Sequence, residues 1–173
     1  MTLPNALSAA RAVLVIPVIG LIATGDASLA LLVFLGAAAT DALDGPLARR
    51  RGATAFGAAL DPFADKILVV GTLAALAIRG IAPAWAIVLI LARELVAIEV
   101  RARAPQAIGA GADGKAKTVL QVTAIAMLLA TAAWPAAGLA TAANALLVAA
   151  TTLTLLSGVR LVLRAKQTTA DPA

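Results

Sequence analysis

The sequence predicts an all-α, polytopic membrane protein with six transmembrane helices and a short amino-terminal interfacial segment. Of its 173 residues, 62% are hydrophobic and only 13% are charged, whereas a soluble domain carries about 25% charged residues. The mean hydropathy is +0.98, and the apolar residues form continuous runs. Strands of a membrane barrel would alternate apolar and polar residues, so the continuous runs indicate membrane-spanning helices.

Polar and turn-forming residues divide the chain into the interfacial segment and six helices. The segment covers residues 2–11 and is expected to hold Arg11 at the level of the lipid headgroups. The helices are predicted at about 12–23, 28–50, 54–78, 83–101, 115–133 and 137–163, with glycine, proline or charged residues at the breaks. We therefore expect one domain over residues 1–166, followed by a polar tail at 167–173.

Lysine and arginine are distributed unevenly between the two ends of the predicted helices. If the helices alternate in direction, one side of the membrane receives only Arg79. The other side receives Arg11, Arg49, Arg50, Arg51, Arg101, Arg103, Lys115, Lys117, Arg160, Arg164 and Lys166. Basic residues concentrate on the cytoplasmic side, so both termini are expected in the cytoplasm and the chain in the cell (inner) membrane. The net charge of +5 then reflects basic loops beside anionic lipid, and no nucleic-acid partner is expected.

Cysteine and histidine are both absent from the chain. Their absence excludes disulfide bonds, thiol nucleophiles, zinc sites with soft ligands and acid–base catalysis by imidazole. Any chemistry must therefore use carboxylates, lysine, arginine, hydroxyl groups and a hard metal ion.

Four of the nine acidic residues lie in one otherwise apolar stretch, as Asp41, Asp44, Asp61 and Asp65. The spacings of three and four residues place each pair on one face of its helix. A short connection makes the two helices antiparallel neighbours, so the pairs can face each other. A divalent cation such as Mg²⁺, Mn²⁺ or Ca²⁺ would remove the repulsion among these oxygens. Together with nearby cations, the stretch predicts metal-assisted phosphoryl-type transfer at the membrane surface.

Two structural interpretations compete with a metal site. Asp61 followed by Pro62 is also typical of a helix N-cap with proline at the first helical position. The aspartates could also form structural ion pairs with Arg49, Arg50 or Lys66.

Written out, the stretch is D-x2-D-G-x2-A-R-x7-G-x3-D-x3-D, which resembles the signature of the CDP-alcohol phosphatidyltransferases. The resemblance implies a six-helix, usually dimeric membrane fold with two metal ions, Mg²⁺ or Mn²⁺, and transfer of a phosphatidyl group from CDP-diacylglycerol to an alcohol with release of CMP. It implies that the first three aspartates hold the metals and that Asp65, also at the metal site, is the base. The positions implied for the CDP moiety are Gly45, Ala48, Arg49 and Gly57. The seven-residue gap before Gly57 departs from the eight found in many members.

Residues 2–11 and 60–66 resemble the phosphatidylglycerophosphate synthases and the related cardiolipin synthases within this family. Residues 92–94 and 114–118, together with Gln121, resemble the phosphatidylglycerophosphate synthases more specifically. That branch implies glycerol 3-phosphate as the acceptor, and an acceptor with its own phosphate needs additional cations. Arg93, Lys115 and Lys117 are the candidates; an ion pair with Glu94 or Asp65 is the alternative for Arg93, and a topogenic role is the alternative for the lysines.

Asn5, Ser8 and Arg11 in the interfacial segment are candidates for binding the phosphates of CDP-diacylglycerol, or for anchoring the first helix. Other acceptors, such as phosphatidylglycerol in a cardiolipin synthase or an inositol phosphate, remain alternatives within the family. Outside the enzyme class, a divalent-cation transporter is possible, although no internal repeat is evident.

Overall fold

The computed structural model describes the backbone of residues 3–51, 55–103 and 113–170, with side chains at 9–40, 63–64, 66–100, 102–103 and 117–167. In these ranges the chain forms six helices and no strand. The helices are α1 (Leu3–Thr24), α2 (Ala27–Arg51), α3 (Ala55–Ile78), α4 (Ala84–Arg103), α5 (Asp113–Ala133) and α6 (Leu139–Ala170). The all-α prediction is thus confirmed.

Two helices extend beyond their predicted bounds. The predicted interfacial segment is helical from Leu3 and continuous with α1, because Pro4 lies in the first turn, where its missing N–H breaks no hydrogen bond. At the other end α6 continues to Ala170, although the predicted helix ended at about residue 163. The intervening residues include arginine, alanine, lysine and glutamine and no glycine or proline, so polarity alone does not end the helix.

Glycines end α1 and α3 at the predicted turns. Gly25 has φ +90° and Gly80 has φ +70°, the left-handed conformation that glycine adopts without steric cost. After α1, the N–H of Asp26 donates to the carbonyl of Leu21 at 2.9 Å, which is the closing bond of a Schellman motif. Asp26 then caps α2, since its Oδ1 accepts from the N–H of Leu29 at 3.1 Å. A two-residue turn therefore makes α1 and α2 antiparallel.

The helices α1 and α3 run in the same direction with a constant register. Beyond the end of α3, Arg79 Nη1 donates to the carbonyl of Ala23 at 3.4 Å. In the middle of α3, Gly71 faces Val15 so closely that an added Cβ would lie 2.7 Å from Val15 Cγ2. The pairs Arg79–Ala23 and Gly71–Val15 have the same separation in sequence. The two helices therefore keep one register from the middle of α3 to its end.

We expect Gly71→Ala to destabilise the fold because its methyl group has no room against Val15. Overpacking of this kind costs about 1–3 kcal/mol. The matched control is Gly20→Ala on α1, where an added Cβ meets nothing within 4 Å. Thermal unfolding in one detergent should show Gly71→Ala to be less stable than Gly20→Ala by about that amount, and equal stability would contradict the close packing of α1 on α3.

The remaining helices complete one bundle. Besides its contact with α3, α1 packs on α2; α5 packs on α6 and α2, α4 packs on α6, and α3 touches α4 and α5. The described core is mostly aliphatic, with fully buried residues such as Leu73, Leu128 and Leu147, and it includes the aromatic Phe34. It brings α3, α4, α5 and α6 together around the polar cluster described below.

Among the described residues, one helical segment, Leu139–Gln167, is long and apolar enough to cross a membrane by length and composition. Shorter apolar stretches of 10–17 residues occur at Ala9–Thr24, Ala27–Thr40, Lys66–Ile78 and Lys117–Ala133. The outer surface also carries many exposed large apolar side chains, among them Ile16 (67% exposed), Leu32 (64%), Val88 (64%) and Val119 (63%).

Candidate active site

The predicted metal-binding aspartates lie in regular helix, with Asp41 and Asp44 in α2 and Asp61 and Asp65 in α3. Their side chains lie outside the described residues, as do those of Asn5, Ser8, Gly45, Ala48, Arg49, Gly57 and Lys115. The helical backbone nevertheless places each aspartate pair on one helix face, because residues three and four apart share a face. The metal site and the base remain predictions.

The N-cap interpretation of Asp61 is wrong. A capping residue precedes the first turn of its helix, but α3 begins at Ala55 and is helical through Asp61 and Pro62. Pro62 therefore lies inside α3 and does not mark the start of the helix.

Three cationic side chains converge on the carboxylate of Glu94 in α4. Arg93 Nη1 donates to Glu94 Oε1 at 2.9 Å, and Lys117 Nζ from α5 donates to the same oxygen at 2.6 Å. Lys66 Nζ from α3 forms an ion pair with Oε2. Glu94 thus joins cations from three helices; we call Lys66, Arg93, Glu94 and Lys117 the Glu94 cluster.

The Glu94 cluster carries three positive charges and one negative charge. The side chains of Arg93, Glu94 and Lys117 are less than a tenth exposed, whereas that of Lys66 is 27% exposed. Buried charge of one sign is costly unless it is compensated. Within the described side chains the cluster therefore has a surplus of positive charge that an anionic group of a ligand would balance.

Helix α6 contacts the cluster through one polar face. Ser157 Oγ accepts a hydrogen bond from Arg93 Nη2 at 2.9 Å. One turn earlier, Thr154 Oγ1 accepts from Gln121 Nε2 at 2.9 Å and donates to the carbonyl of Ala150 at 2.7 Å. Beside Ser157, Gly158 packs so closely on Arg93 that an added Cβ would lie 2.9 Å from Arg93 Cγ.

Arg11 is fully buried in α1. Extending the register of α1 and α3 brings Arg11 level with Ile67, next to Lys66. Its level relative to the lipid headgroups, and the choice between anchoring the first helix and binding the donor phosphates, remain predictions.

The structure brings together two of the predicted acceptor-site residues, Arg93 and Lys117, and adds partners that the prediction did not include. The ion pair of Arg93 with Glu94, which the sequence analysis held as an alternative, is present. The sequence analysis considered Lys66 only as an ion-pair partner of the aspartates, and its pairing with Glu94 was not predicted. Ser157 and Gly158 were missed, although the spacing of Thr151, Thr154, Ser157 and Gly158 in an apolar run marks a polar helix face.

Comparison with known proteins identifies the family. The model of the CDP-alcohol phosphatidyltransferase family matches residues 1–162, and the chain belongs to this family. A relative in Mycobacterium tuberculosis (strain ATCC 25618 / H37Rv), named "Probable phosphatidylglycerophosphate synthase", is 41% identical over 136 residues, which are 77% of this chain and 64% of that protein.

Two further relatives carry different names. One in Bacillus subtilis (strain 168), named "CDP-diacylglycerol--glycerol-3-phosphate 3-phosphatidyltransferase", is 35% identical over 73% of this chain and 76% of that protein. One in Drosophila melanogaster, named "Probable cardiolipin synthase (CMP-forming)", is 40% identical over 55% of this chain and 30% of its own length. The chain thus spans less than two thirds of the length of the M. tuberculosis relative.

Proposed function

We propose that this chain transfers a phosphatidyl group from CDP-diacylglycerol to glycerol 3-phosphate, giving phosphatidylglycerophosphate and CMP. The observation that supports this choice of acceptor is that, among the described side chains, the Glu94 cluster holds three cations and one carboxylate. The phosphate of glycerol 3-phosphate is an anion that these cations would bind. The names of the M. tuberculosis and B. subtilis relatives support the same acceptor.

Lys117, Arg93 and Lys115 are proposed to bind the acceptor phosphate, and the structure suggests Lys66 as a further cation. Arg93 and Lys117 converge on the same oxygen of Glu94, so their charged groups lie close enough for one small anion to contact both. Lys115 lies in the first turn of α5, where the helix dipole also favours an anion.

Asp41, Asp44, Asp61 and Asp65 are proposed to hold two divalent ions, Mg²⁺ or Mn²⁺. Carboxylate oxygens are the ligands that these hard ions prefer. The fit is supported by the continuous helix through each pair, because residues three or four apart lie on one helix face. When bound, such ions neutralise the diphosphate of the donor and the departing CMP.

Asp65 is proposed as the general base. Its carboxylate takes the proton from the acceptor hydroxyl, and the hydroxyl oxygen bonds to the phosphorus that carries diacylglycerol as the bond from that phosphorus to CMP breaks. Asp65 precedes Lys66 in α3. The backbone of the proposed base therefore lies beside that of a residue in the Glu94 cluster.

The remaining predicted residues are assigned to the donor. Gly45, Ala48, Arg49 and Gly57 are proposed to line the CDP moiety, where small residues admit a nucleotide close to the backbone. Asn5, Ser8 and Arg11 are proposed to contact the lipid diphosphate. The burial of Arg11 and its level beside Lys66 support a place at the site for that side chain.

We further propose that all six helices span the inner membrane, with both termini and the active site toward the cytoplasm. The exposed apolar side chains on the outer surface support contact with lipid, since a soluble monomer rarely exposes large contiguous apolar patches. In the sequence, the uncharged runs 67–78 of α3 and 118–133 of α5 each follow a lysine of the Glu94 cluster, and this pattern supports placing the charged groups toward one face of the membrane. A homodimer, which the family resemblance implies, is proposed as the assembly.

The test of this function is CMP release from CDP-diacylglycerol by the full chain in mixed micelles. The acceptor panel comprises glycerol 3-phosphate, glycerol, phosphatidylglycerol and an inositol phosphate, each with and without Mg²⁺ or Mn²⁺. We expect glycerol 3-phosphate to support turnover and glycerol to fail. Preference for phosphatidylglycerol, the acceptor of a CMP-forming cardiolipin synthase such as the Drosophila relative's name implies, would replace the proposed acceptor.

Lys117→Gln should raise the KM for glycerol 3-phosphate about tenfold, while the KM for CDP-diacylglycerol stays unchanged. The substitution removes the charge but retains a donor for Glu94 Oε1, so it isolates the contribution of the charge to phosphate binding. A tenfold change corresponds to about 1.4 kcal/mol. Steady-state kinetics with each substrate varied in turn measures both constants, and an unchanged KM for glycerol 3-phosphate would remove Lys117 from the acceptor site.

A further inference from the structure

The polar face of α6 contacts both helices that carry the proposed phosphate-binding cations. Ser157 accepts from Arg93 on α4, and Thr154 accepts from Gln121 on α5. Gln121 lies one helical turn after Lys117. Side chains of α6 therefore fix the position of Arg93 relative to Gln121, which follows Lys117 in α5. We call Thr154, Ser157 and Gly158 the α6 seat.

The α6 seat determines the position of Arg93 in two ways. Ser157 accepts a hydrogen bond from one terminal nitrogen of the guanidinium and Glu94 accepts one from the other. These two bonds fix the orientation of the planar group. Gly158 leaves space for the aliphatic stem, because a Cβ there would lie 2.9 Å from Arg93 Cγ and 3.6 Å from Nε. Any larger residue at position 158 must displace the stem of Arg93.

The surroundings allow such a displacement without unfolding. Arg93 and Gly158 both border a cavity of about 330 Å³ between α4 and α6, whose other lining residues are apolar. The stem of Arg93 can shift into this space, although the guanidinium then loses its contacts with Ser157 and Glu94. A methyl group at position 158 should therefore misplace the cation and leave the bundle folded.

We propose that Ser157 and Gly158 are positioning residues that make the site selective for acceptor alcohols bearing a phosphate. They act through Arg93, which they hold beside Lys117 so that the two cations bind the same phosphate group. This inference rests on the proposed function, because it assumes that Arg93 binds the acceptor. It assigns to α6 a role in substrate choice beyond that of a membrane span.

The alternative is that serine and glycine are there only for close helix packing, as small residues often are between membrane helices. Three glycine variants separate the two explanations. Gly158→Ala places a methyl group against Arg93, Gly71→Ala places one against Val15 in an apolar contact, and Gly20→Ala places one in open space. Only the first is expected to change acceptor binding.

The experiment measures KM for glycerol 3-phosphate, KM for CDP-diacylglycerol and kcat for these variants. Gly158→Ala should raise the KM for glycerol 3-phosphate about three- to tenfold and leave the KM for CDP-diacylglycerol unchanged. Gly71→Ala should lower the thermal midpoint without altering the ratio of the two constants. The inference is overturned if Gly158→Ala changes the two KM values equally or changes neither of them. It is also overturned if Gly158→Ala, like Gly71→Ala, only lowers the thermal midpoint.

A double-mutant cycle tests whether Ser157 acts through Arg93. Ser157→Ala alone should raise the KM for glycerol 3-phosphate, whereas adding it to Arg93→Lys should have little further effect, because lysine cannot bind Ser157 and Glu94 with two separate nitrogens. Additive effects would overturn the inference. A wild-type chain that releases no CMP with glycerol 3-phosphate would overturn the proposed function as well, whereas an active wild type with unresponsive variants would overturn the α6 seat alone.

Discussion

Glu94→Gln should destabilise the protein by about 3–5 kcal/mol, because it removes the carboxylate that the described cations share. Lys66, Arg93 and Lys117 would then meet with no described counter-charge, and leaving one partner of a buried ion pair uncompensated costs about this much. Arg93 and Lys117 would repel each other in surroundings where their side chains are nearly excluded from water. The measurement is thermal or denaturant unfolding of the purified protein in a fixed detergent.

Glu99→Gln is the matched control for this experiment. Glu99 is on the same helix and pairs with Arg103, but its side chain is 58% exposed and that of Arg103 is 79% exposed. An exposed ion pair contributes about 0–1 kcal/mol, so this variant should be nearly as stable as the wild type. If the two variants were equally stable, Glu94 would not be the carboxylate that holds α3, α4 and α5 together.

Asp65→Asn should reduce CMP release about a hundredfold to ten-thousandfold, the usual contribution of a general base. Asparagine has nearly the same shape as aspartate, but its amide cannot accept a proton from the acceptor hydroxyl. The other three proposed metal ligands, Asp41, Asp44 and Asp61, are unaltered, so nucleotide binding should be largely retained. Turnover with glycerol 3-phosphate and protection by CMP against thermal unfolding in the presence of Mg²⁺ measure the two properties separately.

Asp26→Asn makes the same chemical change at the other end of the bundle. Asp26 caps α2 through Oδ1, and asparagine caps helices about as well as aspartate, so this control should keep full activity. Asp65→Asn that retained turnover within about tenfold of this control would exclude Asp65 as the base, because a base contributes far more.

The helices could be predicted closely where a local signal exists. Gly25 and Gly80 end α1 and α3 as expected, because each adopts a backbone conformation that few other residues tolerate. The start of α1 and the end of α6 could not be predicted from polarity, since a helix continues through polar residues until glycine, proline or a cap ends it. Likewise, the Asp61–Pro62 pair resembled a cap in sequence, but α3 begins at Ala55 and continues through both residues.

The amino-acid sequence by itself determined the class of fold, the family and the chemical types available for catalysis, because composition, apolar runs and the spacing of aspartates are properties of neighbouring residues. Only the tertiary structure decided that Lys66, Arg93 and Lys117 converge on Glu94, that Arg11 is buried, and that α6 braces Arg93. Those residues are far apart in sequence, and their contacts depend on which helix faces pack together. That choice comes from complementary shapes across the bundle, such as Gly71 against Val15 and Gly158 against Arg93.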